Sequence, residues 1–409
     1  MTPAGTVPPP RAALDTAQAA AALALLLGLQ PVLTDVYLPS LPLIAREFDA
    51  PLAATQMTMS ALILAFGLMQ LVWGPVADRF GRRPVLVLNL LLMLLASLGA
   101  MGASSIGWLI AWRVAQGATL AAVVCCARAM VRDLYAPPQG ARVMAYALTG
   151  LGFIAIAAPV AGGVAAGFFG WRAGMGVVAA CVAVVGVTIA LRLPETLAAP
   201  DPQALQVARL ARNARTVLVH PTFIAWALLV SSTYAGLFLL LSASSYVYIG
   251  ALGMTSLQYG LAMGGGSLVY VIGTFFCRHW LMHHGMARTV RRGAFFTLAG
   301  GLAMAGASLM AQPPVALVLL AHCLFTFGHG MHQPCGQAGA VGPFPQMAGV
   351  ASALAGCLLA LVAFFVGLAL GATMDGTLRP IGIGLALAAI ATATIAWTLV
   401  QSHGQGAKA

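Results

Sequence analysis

The sequence predicts an all-α integral membrane protein of twelve transmembrane helices arranged in two six-helix bundles. Three observations carry that expectation. The 409 residues are 61% hydrophobic and only 7% charged, whereas a soluble domain averages about 45–50% apolar and about 25% charged. At about 20 residues per helix plus short loops, the length accommodates about 12 spans. A polar stretch at 193–219, holding Glu195, Asp201, Arg209, Arg212 and Arg215 with three prolines, separates six apolar runs from six. The runs lack the alternation of a β-barrel, and 46 glycines suit helices in close approach.

In chain order, residues 1–16 are polar and Pro-rich and are expected to form a disordered tail. The apolar runs place spans at about 17–41, 52–76, 84–103, 106–131, 141–168 and 171–192, then at about 220–249, 257–279, 289–311, 314–338, 347–371 and 378–400. The first bundle would be 17–192, the cytoplasmic linker 193–219, the second bundle 220–400 and the C-terminal tail 401–409. No short signal peptide precedes a soluble domain, so the first helix is expected to stay uncleaved.

Orientation follows from the turn at 74–84, where Arg79, Arg82, Arg83 and Asp78 crowd between the second and third apolar runs. Charge in hydrocarbon costs several kcal/mol per residue, so this turn lies in water or among headgroups. Placing it in the cytoplasm puts sixteen Lys and Arg residues inside and three outside, with Arg113 in neither class. Arg11 and Lys408 on the tails are among the sixteen, so both termini are expected in the cytoplasm. The net charge of +11 is thereby explained by the positive-inside rule, and a nucleic-acid partner is not expected. Trp73, Trp108, Trp171, Trp280 and Trp397 fall near span ends, as interfacial tryptophans do.

Of nine acids, Asp35 alone sits inside a predicted span, and Arg113 is its basic counterpart on the fourth. Both lie about 10 Å from the outer surface, at 1.5 Å per residue. A buried carboxylate is pushed toward its neutral form and a nearby arginine pulls it back, so the pair is a candidate proton and substrate coupling site. The alternative is a static ion pair joining two helices. Pro31 and Pro39 flank Asp35 and are expected to interrupt or bend the first span.

His322, His329 and His332 on the tenth span read as interhelical hydrogen-bond partners, with a second proton carrier as the alternative. They have no acidic companion and the seven cysteines no metal-ligand spacing, so neither a metal nor a cofactor is expected; the cysteines read as apolar filler. Pro159, Gly162 and Gly163 on the fifth span serve tight packing or a conformational change. Tyr37, Met144, Tyr146, Phe153, Tyr234, Phe238 and Tyr246 are candidates for an apolar substrate pocket. There is no phosphate-cradling loop, so energy must come from a gradient. One proton moving down 100 mV supplies about 2.3 kcal/mol, enough for roughly 40-fold accumulation. No acid/base constellation points to an enzyme.

The turn Gly74-x-x-x-Asp78-Arg79-x-Gly81-Arg82-Arg83 resembles the loop 2–3 signature of the major facilitator superfamily. Arg113-x-x-Gln116-Gly117 resembles its span-4 motif, and Pro159-x-x-Gly162-Gly163 the end of its span-5 antiporter motif, with Ala158 where glycine is usual. Leu193-Pro194-Glu195-Thr196-Leu197 resembles the span-6 exit of drug/proton antiporters. Two stretches, 34–42 and 342–354, look like the bicyclomycin/chloramphenicol-resistance exporters. The resemblance implies a rocking drug/proton antiporter of the bacterial inner membrane. Its partners would be a proton, a small lipophilic drug and the bilayer, and it would be a monomer. Asp35 would bind proton and substrate in competition, with Arg113 beside it. Asp78 and the arginines would lock the inner side, Asp78 facing the start of span 11 near Gly349 and Ser352 with Arg132 close by. Leu27 and Gly28 stand where some relatives carry a second acid, which implies one proton per cycle. A metabolite exporter, or a receptor without transport, is the alternative reading.

Overall fold

The computed structural model describes residues 15–135 and 137–404; of the expected tail at 1–16, residues 1–14, with Arg11, lie outside them, as do the last residues, with Lys408, while Thr16 already opens the first helix. Among the described residues the regular structure is helical. The N-terminal half comprises α1 (Thr16–Asp35), α2 (Leu41–Glu47), α3 (Leu52–Phe80), α4 (Arg82–Met101), α5 (Ile106–Leu134), α6 (Pro137–Phe169) and α7 (Trp171–Arg192). A helix, α8 (Val207–Leu218), lies in the linker. The C-terminal half comprises α9 (Pro221–Ser245), α10 (Ser256–Ser308), α11 (Val315–Val341), α12 (Ala348–Thr373), α13 (Arg379–Trp397) and α14 (Leu399–His403).

Eleven helical stretches among the described residues are long and apolar enough to cross a membrane. The longest, α10, has 53 residues and breaks at Gly285, whose φ of 75° and ψ of 171° lie outside the helical region. It therefore supplies two of the expected spans, and the total is twelve. Gly81, at φ 100°, makes the corresponding break between α3 and α4. Only glycine adopts such angles without strain, so both second-to-third-span turns depend on it.

The linker is partly helical. Its arginines fall on a short amphipathic helix, α8, whose only buried residue is Val217 and which packs against α9 and α12. Pro31 leaves α1 unbroken. The interruption comes after Asp35, where Pro39 sits in a one-turn 3₁₀ helix before α2. Asp35 is thus the last residue of α1.

Within the N-terminal half α1 packs on α6, α3 on α5, and α4 on α5 and α7. The two halves meet along two flanks, α3 against α12 and α6 against α10. At the end opposite the arginines they also meet across the middle. There the Gln56 amide donates to the Ser242 carbonyl at 2.5 Å, and the Tyr246 hydroxyl to the Leu41 carbonyl at 3.4 Å. The same end is braced by Glu47, which accepts from the Trp171 indole at 2.6 Å and pairs with Arg172.

Candidate functional site

Asp35 is half-buried at the junction between α1 and the 3₁₀ turn. Its Oδ1 accepts from the Thr34 hydroxyl at 2.7 Å. It lies within electrostatic reach of Tyr234 and Tyr259, both in the C-terminal half. The carboxyl group is therefore close to the interface between the halves.

Arg113 is fully buried in the N-terminal half. Its Nη1 donates to the Leu33 carbonyl at 3.0 Å and to the Gln116 side chain at 2.8 Å, and its Nη2 reaches the Met59 sulfur at 3.2 Å. The guanidinium lies over the Tyr37 ring, 4.1 Å from its centroid. No ion pair joins Arg113 to Asp35. This corrects the expectation of a charge pair: the arginine grips the backbone two residues before the acid, while the carboxylate accepts from Thr34 on its own helix. The Gln116 amide continues the chain to Ser97 on α4 at 3.0 Å.

The 74–84 turn is a closed electrostatic clasp. Buried Arg82 bridges Asp78 at 2.5 Å and Asp133 at 3.0 Å, tying the ends of α3 and α5 to the start of α4. Arg83 donates to the Leu193 carbonyl at 2.8 Å and the Ala190 carbonyl at 2.9 Å. The Asp78 carbonyl accepts from the Asp201 N–H, which docks the linker, and Arg79 lies within electrostatic reach of the Asp201 carboxylate. Gly74 has open space where a Cβ would go. The ion pair of Asp78 is made to Arg82, and the arginines at the start of α12 come from α5. Arg128 reaches the Ser352 hydroxyl at 3.2 Å, and the Arg132 guanidinium stands 3.8 Å from where a Cβ on Gly349 would lie. The backbone turn at Gly81 brings Arg82 against Asp78.

Sequence reading assigned Glu195 no part in this clasp. Its carboxylate accepts from the backbone N–H groups of Arg82 at 3.0 Å and Arg83 at 3.1 Å, and from those of Thr196 and Leu197 at 2.9 Å each. Arg82 and Arg83 open α4. An acid at a helix N-terminus satisfies orphan donors and complements the helix dipole. The local signal was the acid in Leu-Pro-Glu-Thr-Leu; its partner lies 112 residues upstream.

On α6, consecutive glycines face opposite halves. A Cβ on Gly162 would collide with the Val36 backbone after α1, and one on Gly163 would stand 2.6 Å from the Ser256 carbonyl of α10. A Cβ on Gly260 would meet the Pro159 carbonyl at 2.6 Å.

The pocket candidates divide. Tyr37 and Phe238 are buried inside their own halves, Tyr37 donating to Thr58 at 2.8 Å. Tyr146 and Phe153 belong to an exposed stripe with Thr149, Ala157, Ala161, Val164 and Phe168. That stripe continues to the end where the halves close on each other, so it is the lipid-facing side of α6, and both residues are removed from the pocket. Met144, Tyr234 and Tyr246 stay half-buried. The three histidines tie α11 to its neighbours. His322 shares a hydrogen bond with the Tyr248 hydroxyl at 3.1 Å, His329 with Thr233 at 3.1 Å and His332 with Thr297 at 3.0 Å. Tyr248 stacks edge-on against Tyr259, whose hydroxyl meets Ser244 at 2.9 Å. Tyr248 and Tyr259 were not singled out from sequence, because a tyrosine in an apolar run gives no periodic signal.

Residues 23–368 match the profile described as Major Facilitator Superfamily. The chain belongs to that superfamily. It is 29% identical over 339 residues to "Multidrug resistance protein D" of Escherichia coli (strain K12), covering 82% of this chain and 84% of that protein. It is 27% identical over 351 residues to "Bicyclomycin resistance protein homolog" of Haemophilus influenzae, covering 85% and 86%. "Chloramphenicol resistance protein" of Pseudomonas aeruginosa is 26% identical over 336 residues, covering 79% and 76%. Among solved structures, a D-xylose-proton symporter superposes with a TM-score of 0.72 at 15% identity, covering 95% of this chain and 98% of that one. A human organic anion transporter gives 0.71 at 17%, covering 94% and 100%. These structures establish the superfamily fold, and with the relatives they mark the chain as a multi-pass membrane transporter, not an enzyme.

Proposed function

We propose that the protein exports small lipophilic drugs, of chloramphenicol- or bicyclomycin-like kind, across the bacterial inner membrane in exchange for protons. The observation that carries this reading is Asp35, the sole acid within the transmembrane interior, at the end of α1 and within electrostatic reach of Tyr234 and Tyr259 of the other half. The names of the relatives support the drug class. By the positive-inside rule the arginine-rich end is cytoplasmic, with both termini, so the end closed by the bonds of Gln56 to Ser242 and of Tyr246 to Leu41 is the outer one.

The cycle follows from this geometry. A drug entering from the cytoplasm meets Asp35 and the half-buried Tyr234, and its binding displaces the proton. The helix end at Asp35 presents carbonyls and partial negative charge, so a proton bound there removes an unfavourable charge. Rocking then opens the other end, a proton from outside takes the carboxylate, and the drug leaves. The protonated carrier returns. Arg113 sets the end of α1 through the Leu33 carbonyl and is a positioning residue. The clasp of Gly74, Asp78, Arg79, Gly81, Arg82 and Arg83, with Arg132, shifts as the cytoplasmic end closes, and Pro159, Gly162 and Gly163 form the pivot on α6.

The test is a drug-susceptibility panel in a pump-deficient bacterium, comparing wild type with Asp35→Asn at matched expression. Resistance from wild type that vanishes in the variant is the expected result. Equal resistance from both would remove Asp35 as the coupling site, and no resistance from well-expressed wild type would reject drugs as the substrate.

A further inference from the structure

The turn at Gly285 repeats the backbone of the turn at Gly81 but not its chemistry. At Gly81 the cations meet partners of the same chain: Asp78, Asp133 and the carbonyls of Ala190 and Leu193. Around Gly285 stand Arg278, Arg288, Arg291 and Arg292, all exposed and none in a salt bridge among the described residues. The sequence has no Asp or Glu between Asp201 and Asp375, and Asp375 lies at the opposite end of α12. Two tryptophans frame the cations. The Arg292 guanidinium lies 5.4 Å from the Trp280 ring centroid, and the Trp397 indole donates to the Arg291 carbonyl at 3.0 Å. Met282 beside them is 85% exposed. Because the turn is made by Gly285, the cations sit directly at the ends of two membrane-spanning segments.

We propose that this patch is a docking surface for anionic phospholipid headgroups of the surrounding leaflet. Interfacial tryptophans and an exposed methionine place the patch at headgroup depth. Guanidinium groups form forked hydrogen bonds with phosphate. A juxtamembrane arginine beside an anionic surface contributes about fivefold in affinity. The lipid supplies the negative charge that Asp78 and Asp133 supply at the other turn.

The test is native mass spectrometry of the full-length detergent-purified protein titrated with phosphatidylglycerol or with phosphatidylethanolamine. Wild type is expected to hold phosphatidylglycerol preferentially. Replacing Arg288, Arg291 and Arg292 by Gln together should cut that affinity roughly 100-fold, while Arg212→Gln with Arg215→Gln on α8 leaves it unchanged. Single Gln variants at the same three positions serve if the triple variant misfolds, and Arg292→Lys should retain more binding than Arg292→Gln. Equal retention of the two lipids by wild type, or undiminished phosphatidylglycerol binding by the Gln variants, would overturn the proposal.

Discussion

The two halves place polar groups in the membrane by opposite means. In the N-terminal half they are ionic: Arg113 is held by carbonyl, amide, sulfur and ring, and Asp35 stands at the end of α1. In the C-terminal half they are imidazoles and hydroxyls in pairs, His322 with Tyr248, His329 with Thr233 and His332 with Thr297. One neutral pair inside a protein costs little when both partners are satisfied, whereas a buried ion needs several partners and does not move cheaply. The difference separates tasks. In the proposed cycle, charge that changes is confined to one half, and the other half offers the drug a surface whose charge stays constant.

The largest effect that would break this division is expected at Asp35. Asp35→Asn should abolish uphill drug accumulation in proteoliposomes under a pH gradient while equilibrium drug binding changes by no more than a few-fold. Unchanged gradient-driven export by this variant would place the titrating group elsewhere. Next comes Arg113. Arg113→Lys should lower transport by roughly tenfold or more, since an ammonium cannot reproduce the planar donor fork that reaches Leu33, Gln116 and Met59; wild-type rates in the lysine variant would show that charge alone suffices. Below that stands Glu195. Glu195→Gln keeps the volume but weakens the cap on α4, and a loss of about 1–2 kcal/mol in stability is expected from thermal unfolding in detergent.

The C-terminal half supplies the contrasting case. His329→Gln should cost about 1 kcal/mol through the bond to Thr233 and leave the pH profile of transport where it was. A displaced profile would mean that α11 titrates and that the division is wrong. The smallest effect is expected at Asp201, whose carboxyl the Gln203 N–H, and after it Arg209, hold below its ordinary range. Its folded-state value is depressed, so any stabilisation is present above the ordinary carboxylate pKa and is lost as pH falls through the depressed one. Asp201→Asn should therefore lower the melting temperature slightly near neutral pH and not in acid.

Charge made the N-terminal half readable in the sequence. Asp35 and Arg113 stood out because ionic residues are rare in apolar runs, and the turn at 74–84 set the expected orientation for the same reason. The partners did not stand out. Asp78 lies beside Arg82 because of the turn angle at Gly81, and Arg113 grips a carbonyl, which no side-chain pattern announces. Tyr146 and Phe153 look like pocket residues in a helix that is apolar all round, and only packing against α1 and α10 shows which side meets lipid. Tyr248 and Tyr259, neutral and aperiodic, became visible only through their hydroxyl partners. Helix α8 was hidden by its charges and by the prolines upstream of it in the linker.

The Glu195 cap also has a consequence for biogenesis. The α3–α4 turn is synthesised early, yet the acid that seals it leaves the ribosome more than a hundred residues later, after α5, α6 and α7. Until then the first backbone donors of α4 depend on water and lipid headgroups. The first half of the protein therefore completes its own assembly only when the start of the linker emerges, and a fragment ending at Arg192 would be a bundle with its last fastening missing.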